Sequence, residues 1–424
     1  MIGIGNLVHI VFTCKGPGNR RSKNKFRDQF LKRQLGHQPV HSQWLIAAIK
    51  INIVNLNIQQ CILSLTINSI SLYQFKNYFS REVGFSERFN GICGRNGVGK
   101  TNLLDAVHYL CFTRSYFTRQ DSLITQHGHQ GFRLEGNFNL QGKEETAVCI
   151  LRENGRKEFV VNDEAYTRFS KHIGRYPCVV IAPDDVQLII GGSEDRRKFV
   201  DTLLSQLDAQ YLQSLINYTR IMQQRNSFLK NYQDGYGNKD LSVLDVLDEQ
   251  LVTEGDLIFK RRQAFLLHFL PEVKGLYNEI AQQYEPLSLI YDSELHTCTF
   301  SELLLYNRSK DLLLQRTSAG IHKDDLLFSM GEQPFKSIAS QGQRKSLLFA
   351  LKLAQVEVIK REKRVSPILL LDDVFEKLDE GRISNLLARV AADDEAQVFI
   401  TDTACDRLED GLKNLGKSYK MIQL

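Results

Sequence analysis

Residues 94–101, Gly-Arg-Asn-Gly-Val-Gly-Lys-Thr, have the residue types and spacing of a phosphate-binding loop, G-x-x-x-x-G-K-[S/T]. The glycines let backbone N–H groups face phosphate oxygens, and the N-terminus of the following helix adds positive potential. Lys100 would reach the β- and γ-phosphates of a nucleoside triphosphate, and the Thr101 hydroxyl would bind Mg²⁺. The loop follows a short apolar segment at 89–93 and precedes a helical pattern at 102–112, as such a site requires.

A second candidate site lies where an apolar strand, residues 367–371, ends in Asp372 and Asp373. An aspartate at the tip of a buried strand is the expected Mg²⁺ ligand of a P-loop NTPase, which makes Asp372 the metal ligand. Asp373 would then orient or deprotonate the attacking water. Two solvated carboxylates at a strand end are the alternative.

A third polar segment, Ser340-Gln341-Gly342-Gln343, stands at the start of a helical pattern over 341–362. A turn of this kind at a helix N-terminus can bind an anion, although taken alone it is better explained as a simple helix cap. Its place 27 residues before the acidic strand makes the anion-binding interpretation more specific.

The remaining pattern predicts an α/β fold. Alternation from residue 63 predicts a strand with one slip before Ile70, and Asn154-Gly155 predicts a hairpin turn. Three- and four-residue apolar steps predict one long amphipathic helix over 200–222 and a second from Leu244 to Pro271. Further elements are predicted at 177–181 (strand), 380–391 (helix) and 397–401 (strand).

Composition excludes several classes of protein. The 424 residues are 42% hydrophobic and 24% charged, which is typical of a folded globular chain and excludes a disordered one. The longest apolar stretch is interrupted by polar residues, so we expect no membrane span and no secretory signal.

The net charge of +5 comes from residues 1–60, which hold nine Lys and Arg and one acid. DNA contact elsewhere therefore requires local patches. The candidates, each of which could instead be a solvated helix face, are Arg196, Arg197, Lys198, Lys260, Arg261 and Arg262.

The eight cysteines contain no CxxC pair and no metal-ligand spacing. We expect free thiols in a reducing compartment.

Residues 1–61 lack sustained periodicity, and three interpretations stay open for them: a basic arm that touches nucleic acid, a small structured cap, or upstream sequence outside the functional protein. The last is favoured because regular patterning begins abruptly near residue 62.

The order of these motifs resembles ABC-type ATPase heads and, more narrowly, the RecF family of bacterial recombinational-repair proteins. The resemblance covers about residues 62–424. Further matching segments are Tyr73-Gln74-Phe75-Lys76-Asn77-Tyr78, Lys100-Thr101-Asn102-Leu103-Leu104-Asp105-Ala106, Pro183-Asp184-Asp185-Val186-Gln187-Leu188, Asp195-Arg196-Arg197, Gly320-Ile321-His322-Lys323-Asp324-Asp325 and Leu369-Leu370-Leu371-Asp372-Asp373-Val374-Phe375-Glu376-Lys377-Leu378-Asp379.

The resemblance implies an ABC-type P-loop ATPase head, a mixed sheet with helices, plus an inserted mainly helical lobe without a long coiled coil. The implied divisions are a basic extension over 1–61, head parts over 62–193 and 311–424, and the helical lobe over 194–310. A transporter subunit would have fewer residues between P-loop and signature turn. An SMC protein would need far more heptads, and a metabolic kinase has no use for the turn at Ser340.

The implied function is an ATP-dependent DNA-binding clamp of recombinational repair, replication-gap processing and the SOS response, in the cytoplasm. The P-loop residues Gly94, Arg95, Asn96, Gly97, Val98, Gly99, Lys100 and Thr101 would bind ATP and Mg²⁺. Ser340, Gly342 and Gln343 of a second copy would bind the γ-phosphate of that same ATP, so that ATP closes a homodimer. Asp373, where transporters often have Glu, suggests slow hydrolysis, and the resemblance implies a weak ATPase that DNA stimulates. Single-stranded and gapped duplex DNA, RecR and RecO are the implied partners.

Thr401-Asp402-Thr403 stands where many ABC proteins have a switch histidine, which leaves the γ-phosphate sensor undecided. Another SMC-like ABC ATPase of chromosome maintenance is the alternative.

Overall fold

The computed structural model describes residues 63–118, 120–233, 241–281, 285–373, 388–393 and 395–424. Residues 62–424 form one compact unit, and the domain boundaries inside it stay a prediction. The N-terminal extension, and most of the helix predicted over 380–391, lie outside the described residues.

Fourteen strands are assigned in the described ranges. They are β1 (Leu65–Phe75), β2 (Tyr78–Gly84), β3 (Phe89–Cys93), β4 (Phe132–Leu140), β5 (Lys143–Leu151), β6 (Lys157–Val161), β7 (Glu164–Ala165), β8 (Cys178–Ile181), β9 (Leu287–Asp292), β10 (Asp325–Met330), β11 (Gln333–Pro334), β12 (Ile368–Leu371), β13 (Val398–Asp402) and β14 (Tyr419–Gln423).

The helices that position the site have well-defined bounds. They are α1 (Lys100–Phe112), α2 (Gln187–Ile190), α3 (Ser193–Leu207), α4 (Ala209–Gln233), α5 (Ser242–Ala281), α6 (Phe300–Leu314), α7 (Phe335–Ile338), α8 (Gln341–Lys363) and α9 (Cys405–Lys413).

A five-stranded parallel sheet, in the order β14-β3-β13-β12-β8, positions the site. Parallel sheets are covered on both faces, and accordingly every residue of β3, β8 and β12 is buried. Because the strands are parallel, their carboxyl ends share one edge, where ligands bind in folds of this kind. The P-loop follows β3 and the acidic pair follows β12 at that edge.

A second, antiparallel sheet has the order β2-β1-β4-β5-β6-β7. Its β1 contains the predicted slip, a register shift between Ile67 and Ser69. The predicted Asn154-Gly155 hairpin is confirmed by the β5–β6 pairing, with Gly155 at φ +77°. Helix α1 contacts strands of both larger sheets, which explains why nearly all of its side chains are buried. The third sheet has the order β11-β10-β9.

The prediction of one helix over 200–222 is wrong, because the chain breaks at Asp208 between α3 and α4. Asp208 has extended backbone angles, φ −134° and ψ 108°. Its carboxylate accepts hydrogen bonds from the backbone N–H groups of Gln210 (2.8 Å) and Tyr211 (3.2 Å). A side chain that caps the next helix in this way competes with helix continuation, and apolar periodicity alone does not reveal it.

The second helix runs past its predicted end. Helix α5 continues through Pro271 to Ala281 and has 40 residues. Proline removes one helical hydrogen bond and usually bends or ends a helix. Here Leu270 and Val273 on either side of it are buried in the main hydrophobic core, and this packing favours continuation.

Helices α4, α5 and α6 are joined by a buried arginine. Arg225 of α4 is fully buried, and its guanidinium donates to Asp248 of α5 (2.6 Å) and Asp311 of α6 (2.7 Å). Removing one partner of a buried ion pair leaves an uncompensated charge. We expect Arg225→Met to lower the free energy of unfolding by about 3–5 kcal/mol, measured by urea denaturation.

The matched control for this substitution is Arg220→Met, an exposed position on the same helix. Surface substitutions of this kind typically change stability by less than about 0.5 kcal/mol. Equal denaturation midpoints for the two variants would show that the buried pair adds nothing.

Across the described ranges, no helix combines the length and the hydropathy needed to cross a membrane.

Candidate nucleotide-binding site

Three positions of the P-loop have backbone conformations that only glycine adopts without strain. Gly94, Gly97 and Gly99 have φ of +153°, +82° and +112°. At Gly99 a Cβ would also lie within 2.8 Å of side-chain atoms of Asn77 and Tyr78, so the neighbouring turn leaves no room for one. Arg95 and Asn96 are exposed on the turn, where their backbone N–H groups rather than their side chains would meet phosphate.

Lys100 is folded back onto the loop. Its ammonium donates to the carbonyl oxygens of Gly94 (2.9 Å) and Arg95 (3.2 Å). Lys100 is only 5% exposed, so these two carbonyls supply partners for a buried charge. A phosphate group would offer the same amine charged oxygens, which make stronger hydrogen bonds than backbone carbonyls.

The P-loop and the acidic strand meet, as the sequence predicts, although 271 residues separate them. The Thr101 hydroxyl donates to both carboxylate oxygens of Asp372 at 3.0 Å. A hydroxyl and a carboxylate that face each other are the oxygen ligands that Mg²⁺ prefers. In the described part of the chain, no three His, Cys, Asp or Glu side chains cluster to hold a metal by themselves. A bound Mg²⁺ would therefore need ligands from the nucleotide and water as well.

Thr401 links the two aspartates, whereas sequence reasoning named it only near the undecided γ-phosphate sensor and gave it no contact with them. Its hydroxyl donates to Asp372 (2.8 Å) and accepts from the backbone N–H of Asp373 (2.8 Å). Strand β13, which ends at Asp402, brings it beside β12. The Thr-Asp-Thr segment after an apolar strand was the available signal, but pairing across strands could not be derived from it.

Asp373 lies at the edge of the site in a left-handed backbone conformation, φ +45°. Such angles are uncommon outside glycine, and Asp and Asn tolerate them best. Asp373 and Asp372 line one cavity of about 290 Å³ together with Gln341 of the signature turn.

Burial raises the pKa of the Asp372 carboxyl above its ordinary value of 3.8. The hydrogen bonds from Thr401 and Thr101 lower this pKa, the neighbouring Asp373 raises it, and Lys100 lowers it, with burial as the largest effect. The ionised carboxylate is therefore disfavoured without a cation.

This shift predicts that Asp372→Asn unfolds at a higher temperature than the wild type when no nucleotide is present. An acid whose pKa is raised on folding binds more protons in the folded state, so wild-type stability falls as pH rises from the unfolded-state pKa to the folded-state pKa. The difference in unfolding temperature between Asp372→Asn and the wild type should grow from pH values near 3.8 up to the raised pKa and stay constant above it. Thermal unfolding at acidic and neutral pH measures it, with the exposed Asp163→Asn as control.

The signature turn is an exposed, capped helix start. Ser340 is the N-cap of α8: its hydroxyl accepts from the N–H of Gln343 (3.2 Å), and the Gln343 side chain accepts from the N–H of Ser340 (2.8 Å). This capping box satisfies two donors and fixes the turn. Ser340 is exposed, and Gly342 and Gln343 are half-buried, so the turn faces outward on one chain.

Helix α8 is attached to the sheet through the Pro183–Val186 turn. Lys352 donates to the carbonyl of Val180 (2.7 Å) and forms an ion pair with Asp185 (3.0 Å). The Asp185 carboxylate also accepts from the N–H of Ala182 (2.8 Å). These contacts fix the signature helix relative to the strand edge.

The turn between β1 and β2 also supports the P-loop, although sequence reasoning assigned it no role in the site. The amide of Asn77 donates to the Val98 carbonyl (2.9 Å), and the Tyr78 hydroxyl donates to the Gly99 carbonyl (3.0 Å). Burial raises the pKa of Tyr78 to about 12, so its hydroxyl remains a donor. The signal was the Lys76-Asn77-Tyr78 segment among the matching motifs.

The basic residues named as DNA-contact candidates separate into two groups. Arg196 and Arg262 are buried, so a solvated helix face is wrong for both: Arg196 pairs with Asp325 (2.6 Å) and Arg262 with Asp201 and Asp324. These pairs join α3 and α5 to the chain around β10. Lys198, Lys260 and Arg261 are exposed at the surface, and Arg197 is half-buried. Arg197 and Lys198 line a cleft of about 650 Å³.

The prediction of free thiols is wrong for two cysteines at the site. A disulfide joins Cys93, the last residue of β3, to Cys405, the first residue of α9. The residues are 312 positions apart, and only the pairing of β3 with β13 brings them together. Cys111, Cys149, Cys178 and Cys298 are free thiols.

Comparison with known proteins gives one consistent family. The family described as RecF/RecN/SMC N terminal domain matches residues 66–421. The DNA replication and repair protein RecF of Flavobacterium johnsoniae is 40% identical over 358 residues, which cover 84% of this chain and 99% of that protein. The protein of the same name from Bacteroides thetaiotaomicron is 38% identical over 359 residues, covering 84% and 96%.

Solved structures agree with the sequence comparison. The structure of the recombination mediator protein RecF-ATP in the RecFOR pathway superimposes with a TM-score of 0.75 at 28% identity, covering 81% of this chain and 94% of that one. The corresponding RecF-ATPrS structure also has a TM-score of 0.75, at 27% identity and the same coverage.

Proposed function

The chain belongs to the RecF family, and from that premise we propose that it is an ATP-binding DNA repair and replication protein that closes on DNA as an ATP-dependent dimer. The observation that carries the nucleotide site is the Thr101–Asp372 contact, which brings the P-loop and the acidic strand together. The relatives' shared name and the ATP-bound RecF structure support the same ligand and the same cellular role.

In the proposed mechanism, Lys100 exchanges its two backbone carbonyl partners for the β- and γ-phosphates of ATP. The N–H groups of the P-loop and the start of α1 bind the remaining phosphate oxygens. Thr101 and Asp372 would hold Mg²⁺, which neutralises phosphate charge when bound. Asp373 orients the attacking water and accepts its proton, and Thr401 fixes both aspartates through one hydroxyl.

The signature turn supplies the reason for dimerisation. Ser340, Gly342 and Gln343 lie at the N-terminus of α8, where Ser340 is exposed and the helix dipole favours an anion. We place the γ-phosphate of a second copy's ATP there, so that each of two composite sites takes its P-loop from one copy and its turn from the other. ATP then shifts the equilibrium toward the closed dimer, because it makes contacts with both copies only in that state.

DNA contact in this scheme is to backbone phosphates, which makes it salt-sensitive and sequence-tolerant. Gapped duplex and single-stranded DNA are the proposed substrates, and RecR and RecO the proposed partners. The RecFOR pathway in which the solved RecF relatives act supports this assignment.

Retention of gapped duplex DNA, measured by filter binding with ATP, without nucleotide and with ADP, tests the proposal. We expect ATP to increase retention and added salt to weaken it for every sequence alike. Equal retention in all three nucleotide states would remove the support for an ATP-dependent clamp.

A further inference from the structure

The Cys93–Cys405 disulfide connects the two backbone segments that border the nucleotide site. Their Cα atoms are 5.2 Å apart, within the range that a disulfide spans. Cys93 immediately precedes Gly94, whose carbonyl accepts from Lys100 at 2.9 Å. One end of the disulfide therefore fixes the residue from which the P-loop begins.

The other end fixes the segment that follows β13. Four residues before Cys405, Thr401 contacts both Asp372 and Asp373. Between them, the buried Asp402 accepts two hydrogen bonds from Arg407, at 2.8 and 2.6 Å. Residues 401–405 thus connect the acidic pair to the disulfide by a short segment that these hydrogen bonds hold in place.

We infer that Cys93 and Cys405 form a reversible redox site that controls nucleotide turnover. This inference rests on the proposed function of the P-loop site. In the disulfide form, the start of the P-loop is tied to residues 402–405 in the nucleotide-free arrangement, with Lys100 on its backbone carbonyls. In the dithiol form, the two segments adjust separately when Lys100 moves to phosphate and residues 401–403 approach the γ-phosphate.

The exposure of the two sulfur-bearing residues sets the order of the chemistry. Cys405 is partly exposed, whereas Cys93 is 2% exposed. A peroxide is the oxidant we propose. The Cys405 thiolate attacks one peroxide oxygen, which breaks the O–O bond, gives a sulfenic acid and releases hydroxide. The Cys93 thiol then attacks the sulfenic sulfur, forms the S–S bond and releases water.

In balance, two thiols and one hydrogen peroxide give one disulfide and two waters. The sulfur atoms lose two electrons and the peroxide gains them. A dithiol reductant reverses the reaction by thiol–disulfide exchange.

The test compares the wild type with Cys405→Ser and Cys93→Ala after treatment with hydrogen peroxide or dithiothreitol. Cys298→Ser is the matched control, since Cys298 is a partly exposed free thiol. Mass spectrometry of peptides establishes the thiol state of each sample. We expect peroxide to lower ATP turnover of the wild type and of Cys298→Ser by about fivefold or more, the lower end of coupling between linked sites.

Dithiothreitol should restore that turnover, while Cys405→Ser and Cys93→Ala turn over at the rate of the dithiol wild type under both treatments. The inference would be overturned if wild type that carries the disulfide turned over as fast as the dithiol wild type. Equal inhibition of all four proteins by peroxide would overturn it too.

Hydrogen exchange of residues 93–101 separates this inference from the proposed function. We expect faster exchange in the dithiol form than in the disulfide form of the wild type, a comparison that needs no catalysis and no variant. Absence of turnover in the dithiol form would contradict the proposed function alone. Equal exchange in the two forms would overturn the redox site whether or not the protein hydrolyses ATP.

Discussion

Lys100→Met is expected to weaken ATP binding by about 100-fold or more. Hydrogen bonds to charged groups contribute about 1.5–3 kcal/mol each, and Lys100 would make at least two to phosphate oxygens. Each 1.4 kcal/mol corresponds to about a tenfold change in affinity. Methionine keeps the length and the apolar stem of the side chain, so the loss is that of the ammonium group. Calorimetric titration with a slowly hydrolysed ATP analogue measures it.

The same variant should not dimerise with nucleotide, because the closed dimer requires bound ATP. Lys143→Met, an exposed lysine at the start of β5, is the matched control and should bind as the wild type does. Unchanged affinity in Lys100→Met would mean that the loop does not hold the triphosphate.

Asp373→Asn is expected to slow hydrolysis by about 100- to 10,000-fold, the usual contribution of a general base. Asparagine has nearly the same shape and tolerates the left-handed backbone at this position, φ +45°. The backbone N–H of residue 373 also keeps its hydrogen bond to Thr401. The substitution therefore removes the basic carboxylate and leaves the frame of the site intact.

ATP affinity and the ATP-dependent dimer should survive in Asp373→Asn, which distinguishes it from Lys100→Met. Single-turnover hydrolysis by the preformed dimer is the measurement. A rate equal to that of the wild type would exclude Asp373 as the base.

The sequence predicted the parts of the site that depend on local pattern. The P-loop needs glycines at fixed spacing between a strand and a helix, and β3, the loop and α1 lie where that pattern puts them. The acidic pair follows β12 for a similar reason, since an uninterrupted apolar run indicates a strand buried on both faces. Parallel pairing then brings Thr101 and Asp372 together.

Features that depend on contacts distant in sequence were out of reach. Thr401 reaches both aspartates only because β13 lies beside β12. The break at Asp208 is a local feature, but it was missed because side-chain capping rather than apolar periodicity decides it. The Cys93–Cys405 disulfide joins residues whose local sequences carry no pairing signal.

Charge was the least informative part of the sequence. Arg262 is 3% exposed between two aspartates, whereas Arg261 beside it is exposed. Neighbouring residues on a helix point about 100° apart, so one basic run contains both buried ion pairs and surface charges. The run by itself predicts neither a structural role nor a DNA contact.

The central claim is that ATP is hydrolysed between two copies of the chain. ATP turnover of the full chain, measured against protein concentration with and without gapped duplex DNA, tests it most directly. The account predicts a rise steeper than linear that DNA stimulates and that Ser340→Arg abolishes, because the turn of one copy completes the site of the other. A rate that is proportional to concentration, indifferent to DNA and unchanged in Ser340→Arg would show that each chain holds a complete site.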